Sequence, residues 1–469
     1  MLLRVSPATS FSGCFQIPSS KPETQRAILA GALAAGRSRI VDALRCDEIE
    51  TMKRACTAMG AEITELPDGL DIQGVGGALR FRDRMIDAAG SALVFRTMTA
   101  LAAVQPLPIV LTGDDTLRRR VMSPLFDALR ELGADIQATG GQASAPVVVC
   151  GRSLRSDRCQ LAGNVSSQFV TAMLFALPLA DRPVEIEVTD EVYSKSYIRQ
   201  TIATLTAAGV QVDASPDYRH FRVEPSIYQP HDTSIKEDYT SASYLLAAAA
   251  LYEGRSVLRN VHGESAQGEA AIIPVLRRLG LQIDIDRGAR TLTLENRDGV
   301  LRGDFEIDVR DCPNIAPTLA ALGAYVEGTL RVVGASLTRL HKASRVEAMV
   351  AELSSAGVDI KVLHHNGVSD GFEVRGAASY PGGCIFSSWG DHRIFMSLFV
   401  ASLRMKRPCF CSGFEDARLS FPDFVHEFAK GGVRTSVVRK DEVRRASQSP
   451  VESRRVSRFD HRAPTYTQS

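Results

Sequence analysis

Four short stretches of this chain carry residues suited to holding anions. SSKPETQR places Ser20, Lys21 and Arg26 at the start of an apolar helical pattern, and DAAGSA puts Gly90 and Ser91 at the start of another. GNVSSQF opens a third with Ser166, Ser167 and Gln168, and WGDHR opens a fourth with Asp391, His392 and Arg393. A helix N-terminus offers free N–H groups and the positive end of the helix dipole, so small polar or cationic residues there favour anions. Taken singly, each stretch reads equally well as an ordinary helix cap. The run Arg118, Arg119, Arg120 alone reads as a solvated loop, and His392 as a satisfied structural histidine. Recurrence at equivalent points favours the reading in which the helix ends surround one anion-binding cleft.

The elements that position these residues repeat. Six times a helical pattern runs into glycine and then a strand-like stub, at Gly60, Gly133, Gly209, Gly280, Gly357 and Gly432, at intervals of 73, 76, 71, 77 and 75 residues. Glycine just past a helix supplies the left-handed backbone that stops it. Upstream of each stop lies a small-residue helix apolar nearly all round, as in SASYLLAAAALY, which marks it as buried. A second helix with one charged face follows, as in MSPLFDALRELG. Ordinary α/β alternation also yields glycine caps, but regular spacing over six copies predicts one mixed unit used six times.

Composition bounds the rest. At 469 residues and 45% apolar the chain has material for two domains, and a net charge of +1 gives no whole-chain case for nucleic acid or membrane binding. Nine scattered cysteines without C-x-x-C pairing predict reduced thiols, no zinc site and a cytoplasmic location. The N-terminus lacks an apolar stretch of signal-peptide length. From about Lys440 the sequence turns to Arg, Ser and Asp without periodicity, which predicts a disordered tail over 439–469.

With these motifs in hand, residues 12–435 resemble the enolpyruvyltransferase family, in the branch whose acceptor is shikimate 3-phosphate. The likeness rests on SKPETQRAILAGALAAG, TGDDTLRRRVMSPLFDALRELGADI, GNVSSQFVTAMLFALPLA, VYSKSYI, GDHRIFM and SFPDF. It implies an α/β (α+β) fold of two domains, six βαβαββ repeats with three per domain, and buried helices aimed at the interdomain cleft. The implied division is residues 20–237 as an inserted domain, and 1–19 plus 238–438 as the second. It implies transfer of the enolpyruvyl group of phosphoenolpyruvate to a hydroxyl of a phosphorylated acceptor with release of phosphate, without metal or organic cofactor, by a monomer. Lys21, Gly90, Arg120 and Gln168 would hold the donor phosphate, with Lys21 also catalytic, and Arg345 and Arg393 would clamp its carboxylate. Ser166, Ser167 and Ser194 would bind the acceptor's phosphate, and Arg26 another anionic group on it.

The departures from the family pattern concentrate on the acceptor side. The aspartate base of a Pro-Asp pair is Asn314, and a carboxamide cannot take the proton. The family's glutamate acid is Lys342, and the acceptor-facing lysine is His341. Pro22 replaces a serine, Val94 an arginine, and Leu419 a lysine, with Arg418 beside it. His341, with an unperturbed pKa near 6.5, and Asp311 are the candidate replacement bases. Three functions follow: transfer to shikimate 3-phosphate in aromatic amino acid biosynthesis; transfer to another phosphorylated alcohol, such as the nucleotide uridine monophosphate in nucleoside antibiotic biosynthesis; or a non-catalytic anion-binding relative. The branch acting on a nucleotide sugar through a reactive thiol is disfavoured, because residues 113–123 contain no cysteine.

Overall fold

The computed structural model describes residues 1–140, 143–263, 265–441 and 443. Its longer helices are of two kinds, and the sequence explains the difference. Ala92–Ala103, Tyr239–Ala250, Ala316–Gly323 and His392–Ser402 are buried at every residue. Lys21–Leu33 and Ser167–Ala176 are buried except at Pro22, Glu23 and Gln168. Alanines let neighbours approach these helices closely, and in Ala92–Ala103 the buried hydroxyls are satisfied locally: Thr97 and Thr99 donate to the carbonyls of Leu93 and Phe95 at 2.8 and 2.7 Å. The second kind buries one face, as Ser123–Glu131 does with Leu125, Phe126, Ala128 and Leu129. The six stop glycines have φ between +76° and +114°, which L side chains adopt only under strain.

Among the described residues six four-stranded sheets share one pairing order, a parallel pair followed by two antiparallel partners. Three of them are completed by strands distant in sequence. Thr233–Ser234 runs parallel to Arg37–Val41, and Gly13–Gln16 runs parallel to Gly254–Arg259. Leu2–Val5 sits between Cys409–Cys411 and Thr435–Val438. Two hydrophobic cores result, one drawn from residues between Ala27 and Ile235, the other from Leu3–Ile17 and Tyr239–Val433. The chain crosses between them twice, and the crossings are bonded to each other, Ser20 N–H to the Lys236 carbonyl at 2.7 Å and Asp238 N–H to that of Pro18 at 2.9 Å.

The SFPDF motif belongs to the second core. Phe421 and Phe424 are buried, and the Phe424 ring lies 5.0 Å from Phe399 and 4.6 Å from Phe428. Each such ring contributes about 1.5–3 kcal/mol by leaving water. Most of the sequence-predicted tail, 444–469, lies outside the described residues. At its near end the expectation fails: Lys440, Asp441 and Val443 are helical, and Val443 is buried. Among the described residues no helix is long and apolar enough to cross a membrane.

Candidate active site

A cavity of about 150 Å³ lies between the two cores. Four buried helices begin on its wall, contributing Lys21, Gly90 with Ala92, Ser166 to Gln168, and His392 with Arg393. Asn314 comes from the turn Pro313–Ile315 that leads into Ala316–Gly323. The helix Tyr239–Ala250 starts one layer behind, where its cap Asp238 accepts from the backbone N–H groups of Ser241 at 2.8 Å and Lys21 at 3.2 Å. Several helix dipoles and free N–H groups therefore face one space, a setting that favours multiply charged anions.

Six cations line this space, Lys21, Arg26, Arg120, Lys342, Arg345 and Arg393. Arg345 is held by Asp391, whose fully buried carboxylate accepts from Arg345 Nε at 2.8 Å and caps the helix by accepting from Arg393 N–H at 2.8 Å. Burial opposes ionisation of Asp391, but Arg345, His392 and these hydrogen bonds outweigh it and hold the carboxyl far below the usual carboxylate range. Arg393 is also desolvated, yet Tyr244, Tyr197 and Asp238 keep its guanidinium firmly charged. Two planar forks thus stand ready for a carboxylate. On the other wall Lys21 Nζ lies 3.2 Å from Glu48. Burial again opposes ionisation of Glu48, and Lys21, Lys342 and Arg120 overcome it. At Gly90 a β-carbon would stand 2.7 Å from Asp114 Oδ2, so a side chain there would displace the Asp114 carboxylate.

The acceptor wall is more fully committed. Ser194 adopts a left-handed φ of 55° and caps nothing with its side chain, which leaves its hydroxyl for a ligand. Arg26 donates to Thr201 Oγ1 at 2.9 Å, to the Pro22 carbonyl at 3.0 Å, and more weakly to Thr171 and the Tyr197 carbonyl. Burial lowers its pKa to about 10, and one of its five N–H groups is left for an anion. Asn314 donates to Tyr197 Oη at 2.6 Å and to Glu269 Oε1 at 3.1 Å, and accepts from Arg345 at 2.8 Å.

Of the residues given binding or catalytic roles in the sequence analysis, all but one line the cavity. Asp311 does not. Its carboxylate accepts from Ser196 N–H at 2.6 Å and from Arg199 at 2.7 Å, capping the helix Lys195–Ala207 that Ser194 leaves uncapped. It is thereby unsuited to take a substrate proton. His341 is present, but burial and the cations Arg345, Arg120 and Arg393 hold its imidazole well below the usual histidine range, so it is a neutral ring and a weak base. Arg418 is turned away to an exposed ion pair with Asp47 at 3.0 Å.

Four residues of the site went unread in the sequence. Glu48 is the carboxylate on the cavity wall. Arg96, two residues past Val94, donates to Ser166 Oγ and Gln168 Oε1, both at 2.8 Å, and lies over the Phe169 ring. It fixes one acceptor-side and one donor-side side chain from behind, although Val94 itself is core. Tyr197, inside the VYSKSYI motif, reaches Glu269 Oε1 at 2.6 Å, and Glu269 is almost wholly buried. Tyr197 lay within a quoted motif, one helical turn past Ser194. No local signal marks Glu269.

The sequence pattern of EPSP synthase (3-phosphoshikimate 1-carboxyvinyltransferase) matches residues 5–428. The chain belongs to the EPSP synthase family. Relatives named 3-phosphoshikimate 1-carboxyvinyltransferase include that of Halobacterium salinarum, 36% identical over 92% of this chain and 99% of its own length. That of Methanothermobacter thermautotrophicus is 34% identical, over 93% of this chain and 100% of its own length. Among solved structures, EPSP synthase from Acinetobacter baumannii superposes with a TM-score of 0.77 at 24% identity, covering 93% of this chain and 100% of that one. The enolpyruvyl transferase NikO from Streptomyces tendae gives 0.70 at 17%, over 93% and 98%. These two likenesses establish the enolpyruvyltransferase fold. For this EPSP synthase family member, membership also makes it a transferase.

Proposed function

We propose that this protein transfers the enolpyruvyl group of phosphoenolpyruvate to a hydroxyl of shikimate 3-phosphate and releases phosphate. One observation carries the reading: six cations converge on a cavity whose wall carries a single carboxylate, Glu48. Two phosphates and two carboxylates between donor and acceptor match that excess. Lys21, Arg120, Gln168 and the Gly90 backbone hold the donor phosphate, and Arg345 with Arg393 its carboxylate. Ser166, Ser167, Ser194 and the remaining N–H of Arg26 take the acceptor's anionic groups. Lys342 delivers the proton to the donor's methylene carbon. Burial, with Lys21 and Arg120 nearby, lowers its pKa and makes the ammonium a readier acid. On elimination the same amine takes a proton back from that carbon as phosphate leaves. Residues 20–237 form one domain and 1–19 with 238–438 the other, in a cytoplasmic monomer.

Phosphate release from the purified full chain with both substrates tests this. Turnover on the order of 1–1000 per second, with the enol ether product identified by mass, is expected. A second reading has a specific observation behind it: Pro22, Asn314 and His341 all lie on the cavity wall and all depart from the family pattern on the acceptor side. Turnover with uridine monophosphate but not with shikimate 3-phosphate favours that reading. Failure to bind phosphoenolpyruvate leaves the non-catalytic relative.

A further inference from the structure

The acceptor hydroxyl must lose its proton as its oxygen bonds to the donor. Asn314, at the position where a carboxylate is expected, cannot accept it. Asp311 is a helix cap and His341 is held neutral among cations. Yet the space around Asn314 does contain a carboxylate. Glu269 is 1% exposed and touches Asn314 and Tyr197 at 3.1 and 2.6 Å, and Tyr197 lines the cavity. The approach is built in. A β-carbon on the preceding residue, Gly268, would stand 2.4 Å from the Asp311 carbonyl oxygen and 2.9 Å from Ser196 Oγ, so glycine is what lets Glu269 close on the 311–314 segment.

We propose that Glu269, acting through the Tyr197 hydroxyl, takes the proton that the acceptor's hydroxyl loses. This rests on the proposed transfer reaction. As the acceptor oxygen bonds to C2 of the donor, its proton passes to Tyr197 Oη while the phenolic proton passes to Glu269. The proton added at C3 in this step is removed from the same carbon in the elimination, so it cancels. The proton on Glu269 returns by the same relay to the departing phosphate, which leaves as hydrogen phosphate. Burial raises the affinity of Glu269 for a proton, partly offset by its hydrogen bonds from Tyr197 and Asn314 and by Arg393. Burial and Glu269 also keep the Tyr197 phenol protonated, as a relay starting from the donor state requires.

The competing role is a purely structural acceptor that ties the two cores together. Glu269→Gln separates the two, because a carboxamide oxygen still accepts from Asn314 and Tyr197 but takes no proton. With phosphoenolpyruvate and shikimate 3-phosphate, and in parallel uridine monophosphate, E269Q should lose about 100-fold or more in kcat while donor affinity by calorimetry stays within about twofold. Adding Asn314→Asp to E269Q returns a carboxylate to the cavity wall and should restore about tenfold or more. Tyr197→Phe should lose kcat as E269Q does, and it carries the test if E269Q does not fold. Wild-type activity with kcat kept in E269Q or Y197F overturns this assignment alone, as does a parallel loss of donor affinity. A wild-type protein inactive with both acceptors overturns the proposed function, and this assignment with it.

Discussion

Asp391→Asn isolates the buried ion pair that holds the donor clamp. Asp391 is fully buried, Arg345 is 5% exposed, and their nearest atoms are 2.8 Å apart. At an effective dielectric of about 20 the gross attraction at that distance is about 6 kcal/mol. Desolvation of both groups offsets part of it, and removing one partner of a buried pair typically costs about 3–5 kcal/mol because the other is left uncompensated. The carboxamide oxygen can still accept from Arg393 N–H, so the helix cap survives. Asp391→Ala loses the cap too, adding about 1 kcal/mol. Against a total stability of about 5–15 kcal/mol this is a large fraction, and urea titration measures it. The pH dependence gives a second readout. Asp391 has its folded pKa pushed below the unfolded value of about 3.9, so its contribution is complete above that pH. It is lost as pH falls below about 4 towards the depressed folded value, and in D391N this part of the acid dependence should vanish. If D391N lies within about 1 kcal/mol of wild type and keeps the wild-type acid limb, the pair is not what holds Arg345.

Other perturbations separate ligand contacts from scaffold. Arg120→Ala and Arg393→Ala should each weaken phosphoenolpyruvate binding by about 2–5 kcal/mol in calorimetry, as for one partner of a buried charge pair. Gly90→Ala sets a methyl 2.7 Å from Asp114 Oδ2, and the forced shift should cost about 1–3 kcal/mol, read as a raised KM for the donor. Asp311→Ala should lower stability by about 0.5–2 kcal/mol through the lost cap on Lys195–Ala207. Its kcat should fall far less than the roughly 100-fold expected for a lost proton acceptor.

The fold was legible wherever a local rule has one outcome. A helix apolar all round must be buried, and the helices with one charged face could be set apart from it by pattern alone. The enolpyruvyltransferase fold follows from the motif likeness and agrees with the solved relatives. Less legible were the elements whose partners lie far along the chain. Leu2–Val5 becomes an inner strand because Cys409–Cys411 and Thr435–Val438 flank it, which four residues cannot announce. The near end of the tail misled because its composition is polar, although Val443 within it is buried.

The site divides along the same line. Lys21, Gly90, Ser166, Gln168 and Arg393 were readable because each sits at or just before the N-terminus of a helix, where residue type and position carry meaning together. Asp311 was misread because a carboxylate three residues from Asn314 is near in sequence, whereas the turn at Pro313 sends it to the far side, onto Ser196 and Arg199. Glu269 was invisible for the converse reason. It reaches Tyr197 across 72 residues and Asn314 across 45, and its surroundings in sequence, SAQGEAA, read as a plain helix start. Loss of a carboxylate at 314 therefore does not by itself argue for an inert protein. The chain presents another buried carboxylate to Asn314 and Tyr197, and kcat in Glu269→Gln decides whether that group exchanges protons.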